Sequence, residues 1–145
     1  GYRQYEVSNF CRGDEDRSRH NRKYWNHTPY LGIGPAAHSL VVPRRWWNAA
    51  SVSRYVEDLS SGKRPVAGDE NLDAGQLAQE ALLLGFCTAD GIDLKDFRAC
   101  YGRALLAAKA AEFGPLEKAG YLQRSGGRLR PTRRGLAVAD RLALL

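Results

Sequence analysis

Residues able to do chemistry crowd into the first 39 positions of this 145-residue chain. His20 stands in the run His20-Asn21-Arg22-Lys23-Tyr24-Trp25, and His38 stands near the end of Leu31-Gly32-Ile33-Gly34-Pro35-Ala36-Ala37-His38-Ser39. A neutral imidazole offers a nitrogen lone pair to iron, neighbouring groups fix its ring orientation, and Tyr24 and Trp25 supply flat apolar faces for stacking. By residue chemistry alone a single histidine beside aromatics is more often a hydrogen-bonded structural residue than a ligand. His27 follows His20 at seven residues, but Pro29 spoils a continuous helical face and makes it the weaker second candidate. No HExxH, HxxxH or CxxC spacing marks a zinc site. Cys11, Cys87 and Cys100 are odd in number and far apart, which excludes a disulfide framework, and each is expected as a buried small hydrophobe.

Gly32-x-Gly34-x-x-Ala37 superficially matches a dinucleotide fingerprint, yet no clear helix follows, Pro43 intervenes and no second strand completes a βαβ unit, so that reading is rejected. A glycine's missing Cβ still lets backbone approach a ligand, and a tight turn accounts for the same residues. At the other end of the chain Arg124, Arg128, Arg130, Arg133 and Arg134 gather on a hairpin and the start of the helix after it. Two arginines in a first helical turn oppose the helix dipole, and phosphate would compensate them.

The elements that must position these residues follow from periodicity. Residues 2–10 alternate as a short strand, residues 11–19 read as an exposed loop, and Ser51 caps a helix to Leu59 that presents Val52, Tyr55, Val56 and Leu59. A helical module comes next: a helix from Asp73 to about Thr88, a second capped by Asp93 over Leu94 to Tyr101, and a third from Ala104 to Lys118 closed by Gly120. Tyr121–Arg130 then forms a hairpin through Gly126-Gly127, and Thr132 starts a last helix. Three helices, a two-stranded wing and a closing helix are the order of a winged helix. The composition, 43% apolar and 26% charged, is that of a globular protein. No apolar run approaches the ~20 residues of a membrane span, so a cytoplasmic protein is expected. The net charge of +6 gathers at the two ends around a slightly acidic middle. The chain holds no methionine, even at position 1, and is expected to be a piece of something longer.

The succession Tyr5-Glu6-Val7-Ser8-Asn9-Phe10, His20-Asn21-x-x-Tyr24-Trp25 and Leu31-Gly32-x-Gly34-x-x-Ala37-His38-Ser39 resembles the radical-SAM family of HemN, the oxygen-independent coproporphyrinogen dehydrogenase. Above all it resembles the HemW-like members of that family, with their pattern YEISNFA, HNxxYW and LGxGxxAHS. Gly91-Ile92-Asp93, Phe97, Gly102, Leu116, Gly120-Tyr121-Leu122 and Thr132-x-x-Gly135 look like the family's C-terminal domain, with Pro131 where the family usually has Leu. The fold so implied is α+β: the last strand and loop segment of a radical-SAM barrel over residues 1–45, with Ser8 and Asn9 at its rim, a helical linker over 46–72, and a mostly helical, winged-helix-like C-terminal domain over 73–145.

The resemblance implies haem binding and transfer by a haem chaperone, with His20 as the iron ligand and Asn21, Tyr24 and Trp25 about it. Gly32, Gly34, Ala37 and His38 would close over an S-adenosylmethionine pocket. The parent would carry a four-iron four-sulfur cluster whose CxxxCxxC ligands do not occur in this chain, so the chain by itself is expected to catalyse nothing. A haem-accepting protein is the implied partner. Coproporphyrinogen III oxidase chemistry is the alternative, and the HNxxYW motif favours the chaperone. A winged-helix DNA-binding module is the second alternative, and the third helix argues against it, because with Ala104, Ala107, Ala108, Lys109, Ala111 and Glu112 it has few side chains that read base edges. Duplex DNA should therefore bind weakly at physiological salt and without sequence preference. A salt titration of fluorescent duplexes checks this, and nanomolar sequence-selective binding would make the protein a transcriptional regulator.

Overall fold

Backbone pairing breaks the N-terminal segment into two short strands. The single strand expected over residues 2–10 is instead β1 (Arg3–Gln4) and β2 (Phe10–Cys11), antiparallel and joined by a turn in which the Tyr5 amide donates to the Asn9 carbonyl at 3.1 Å. In the computed structural model, which describes residues 1–102 and 104–142, the chain divides into two units: residues 27–73, and residues 1–26 together with 74 onward. The fold is α+β.

In the larger unit the N-terminal segment continues through a 3-10 turn (Asp14–Asp16) into α1 (Arg19–Trp25), whose N-terminus is capped by Ser18 Oγ accepting from the Asn21 amide. The helical module begins at α3 (Ala74–Phe86), which turns through Gly91 into β6 (Ile92–Asp93) and α4 (Leu94–Tyr101). Asp93 caps α4 as expected, accepting from the Lys95 and Asp96 amides. The third helix is not continuous. It breaks at Lys109 into α5 (Ala104–Ala108) and α6 (Ala110–Lys118), and Gly120 then takes its positive φ of 74°. The hairpin is β7 (Leu122–Ser125) with β8 (Arg128–Pro131), turned through Gly126 and Gly127, both at positive φ. Strand order is β6-β8-β7, and β8 stays paired as far as Pro131, opposite Leu122. Thr132 caps α7 (Arg133–Leu136), and the last expected helix resumes as α8 (Ala139–Leu142).

The core of this unit is Ala78, Leu82 and Phe86 of α3 packed on Ile92, Phe97, Phe113, Leu122, Leu129 and Leu142. Phe86 and Phe113 meet edge to face with centroids 5.9 Å apart, a geometry that adds to simple burial. The smaller unit is the antiparallel sheet β3 (His38–Val41), β4 (Arg44–Asn48) and β5 (Val66–Asn71), with α2 (Val52–Ser60) between the last two strands. Ser51 caps α2 as the sequence predicts. The flanking strands were not legible, because Arg44-Arg45-Trp46-Trp47 lacks a period of two and Val66–Asn71 is polar and glycine-containing. Position 91 combines two demands: a φ of 61°, and a backbone so close that a Cβ would run into the Leu129 carbonyl. Gly91→Ala should therefore destabilise this unit by clearly more than Gly126→Ala, where φ is 57° and space is open and the cost is about 1 kcal/mol. Urea unfolding of both variants reads the difference.

Candidate functional site

α1 presents the HNxxYW residues on two faces, because neighbours on a helix surface are three and four apart. His20 and Tyr24 share one face: the Tyr24 hydroxyl and His20 Nε2 are 3.1 Å apart, and the rings meet edge to face at 5.1 Å. Both are exposed. Arg22 and Trp25 share the other face and line a cleft against the Thr88–Gly91 turn, with Tyr5, Glu6 and Arg17 completing it. Asn21 is half-buried and its amide is taken by the Ser18 cap.

No residue of α1 is buried, so its placement depends on what precedes it. Tyr5 is buried, and its hydroxyl accepts from the Ser18 amide at 3.2 Å. The Arg17 guanidinium lies over the Tyr5 ring at 5.7 Å, donates Nη1 to Asp90 Oδ2 at 2.7 Å and places Nη2 3.0 Å from Asp14. Burial opposes that charge, while Asp90 and Asp14 favour it more, and the net effect raises its pKa. Glu6 is buried at 2% exposure and accepts from Asn9 Nδ2. Burial, with Glu6 nearby, raises the pKa of the Cys87 thiol. Cys11 is buried as expected, but Cys100 is exposed because it falls on the outer face of α4.

The glycine-rich run belongs to the smaller unit. A Cβ at Gly32 would meet the His38 carbonyl, and the Gly32 amide donates to Ser39 Oγ at 2.9 Å, so this glycine is required by packing. Gly34 has φ 106° with open space where a Cβ would be; its amide donates to the Tyr55 hydroxyl, and its carbonyl accepts from Asn48 Nδ2 at 2.9 Å. A groove of about 520 Å³ runs along Leu31, Gly32, Ile33, Trp46, Tyr55 and Leu59, within the size range of small-molecule sites. Of the four residues expected at such a pocket only Gly32 lines it; Gly34, Ala37 and His38 do not. His38 is exposed on β3 and tilts against Trp47 at 5.8 Å. Sequence reasoning missed Trp46 and Tyr55 as lining residues, since both lie far along the chain from the glycines they face.

The arginines of the hairpin are largely occupied. Arg124 pairs with Glu117 at 2.8 Å, and Arg128 binds Asp93 and the carbonyls of Asp90 and Gly91. Arg134 lies over the Tyr121 ring at 4.9 Å and donates to the Ala119 carbonyl. Among the described residues no group of three or more His, Cys, Asp or Glu is arranged to hold a metal ion, and no helix is long and apolar enough to cross a membrane.

Residues 72–138 match the HemN C-terminal domain, which fits the helices and hairpin described above. The fold is similar to that of the solved coproporphyrinogen III oxidase (HemN) from Escherichia coli, a radical SAM enzyme, with a TM-score of 0.75 and 15% identity over 99% of this chain and 36% of that one. The chain is 36% identical over 140 residues to the heme chaperone HemW of Mycobacterium tuberculosis, covering 97% of this chain and 34% of that protein. It is 30% identical over 155 residues to the mitochondrial radical S-adenosyl methionine domain-containing protein 1 of Bos taurus, covering 99% of this chain and 35% of that protein. The chain therefore belongs to the HemN/HemW family, and it spans about a third of the length of these curated relatives.

The Arg17–Asp90 pair joins the segment before α1 to the matched domain. A double-mutant cycle with Arg17→Ala and Asp90→Ala should give a coupling of about 0.2–1 kcal/mol that shrinks with added salt, as for half-exposed ion pairs. Urea unfolding at two ionic strengths reads it.

Proposed function

We propose that this chain is the C-terminal part of a HemW-like, radical-SAM haem chaperone that binds haem and passes it to an acceptor protein in the cytoplasm. The observation that carries the proposal is the complete HNxxYW motif on an exposed helix, in a chain 36% identical to a heme chaperone HemW over nearly its whole length. In this reading residues 1–45 are the tail of the barrel, 46–72 a linker and 73–145 a winged-helix-like domain.

His20 supplies the nitrogen donor for the haem iron. Its exposure suits attachment on an open surface, from which cargo can leave, better than enclosure in a pocket. The hydrogen bond with Tyr24 steers the imidazole ring, and iron coordination at Nε2 requires the Tyr24 hydroxyl to move away. Tyr24 then offers its ring to the macrocycle with Asn21 beside it, while Trp25, on the other face of α1, steadies the helix from behind. The groove beside Gly32 fits a nucleoside-sized ligand, and in the parent it would take part of S-adenosylmethionine, which supplies radical chemistry together with a four-iron four-sulfur cluster bound elsewhere; Gly34 would shape its edge through its hydrogen bonds to Tyr55 and Asn48. His38 at the start of β3 and Ala37 just before it would support that wall. Coproporphyrinogen III oxidase chemistry remains the second reading, favoured by the likeness of fold to HemN.

Haem added to the folded chain should give a Soret band that His20→Ala weakens strongly and His38→Ala leaves in place. Equal loss in both variants, or no uptake by a folded sample, would overturn the assignment.

A further inference from the structure

The cleft between α1 and the Thr88–Gly91 turn is not used by haem attachment at His20, which faces the other way on the helix. Its volume is about 210 Å³, below the roughly 300–1,000 Å³ of sites for drug-sized ligands, so it suits a molecule of few heavy atoms. The lining carries charges of both signs, and they are unevenly matched. Arg17 is committed to Asp14 and Asp90 through its two terminal nitrogens, though its Nε is buried without a partner, and Arg128 is committed to Asp93 and two carbonyls. The remainder is what a ligand would meet.

Glu6 is a buried carboxylate whose hydrogen-bond donor is the neutral amide of Asn9; among the described residues it has no cationic partner. Arg22 is exposed at the cleft and has no carboxylate partner among the described residues. The Trp25 indole Nε1 is buried without an acceptor. A buried carboxylate without a cation and a buried N–H without an acceptor are each costly, and native proteins leave few of them. Here both line one small cleft, beside an uncommitted guanidinium. A simple oxyanion would match Arg22 and Trp25 and leave Glu6 against a second negative charge. A simple cation would match Glu6 and leave the two donors unused.

We propose that this cleft binds a small zwitterion, a molecule of amino-acid type with an ammonium group and a carboxylate a few bonds apart. Glu6 takes the ammonium, and Arg22 with the Trp25 indole takes the carboxylate. Charge-assisted hydrogen bonds at both ends then satisfy the cleft with no change in its net charge.

The chain has three tryptophans, so a nitrogen-15 spectrum shows three indole N–H signals, and Trp25→Phe identifies the one that matters. Titration of the full chain with alanine should move the Trp25 signal saturably and leave those of Trp46 and Trp47 in place, whereas acetate and methylammonium should not reproduce the shift. Arg22→Ala and Glu6→Gln should each abolish it. If Glu6→Gln does not fold, Arg22→Ala decides, since its side chain is exposed. A response to acetate equal to that to alanine, an alanine response retained in Arg22→Ala, or no movement up to roughly 10 mM, ten times a millimolar Kd, overturns the proposal.

Discussion

The larger unit depends on one seam between residues some eighty positions apart in the chain. The Val7 amide donates to the Cys87 carbonyl and the Ala89 amide to the Tyr5 carbonyl, both at 3.0 Å, and Glu6 forms a bridge with Thr88. This attaches the N-terminal turn to the end of α3, whose Phe86 is fully buried in the core. Buried backbone groups must find partners, and here each segment supplies them for the other. Tyr5 is buried at the seam and holds Ser18 through its hydroxyl, so α1 inherits its position from the core of the matched domain although none of its own residues is fully buried.

That arrangement changes what the motif residues can do. A helix of seven residues without a buried face would be marginal in water. Here the Ser18 cap, the Tyr5 hydroxyl and the Arg17–Asp90 pair fix it from outside. The consequence is a helix with both faces available, one carrying the His20–Tyr24 pair to solvent and the other closing a polar cleft. A buried helix could not offer both.

The smaller unit has the opposite character. Its buried residues are few, Leu40, Ala49 and Leu72 among the apolar ones, while Leu31, Ile33, Val52, Val56 and Leu59 are exposed. The helix α2 is amphipathic with no buried residue, so its apolar face is set by sequence and left uncovered here. Its order comes from the sheet and from polar ties, such as Asn48 to the Gly32 and Gly34 carbonyls and Tyr55 to the Gly34 amide.

The sequence by itself determined the local elements whose signals are short-range: the Ser51, Asp93 and Thr132 caps, the positive-φ glycine at 120, and the Gly126-Gly127 turn with its paired strands. It also made the family legible, through three motifs whose spacing no packing argument requires. Tertiary structure decided the rest. Residues 2–10 became a turn between two strands because Tyr5 and Glu6 are drawn into the seam with α3, a contact no local pattern announces. The third helix broke at Lys109 although its composition is strongly helical, and Val66–Asn71 became a strand because β4 stood ready to pair with it. The cleft beside Trp25 is the clearest case. Glu6, Arg22 and Thr88 carry no common spacing, and only the closure of the chain on itself puts their charges and donors within reach of one ligand.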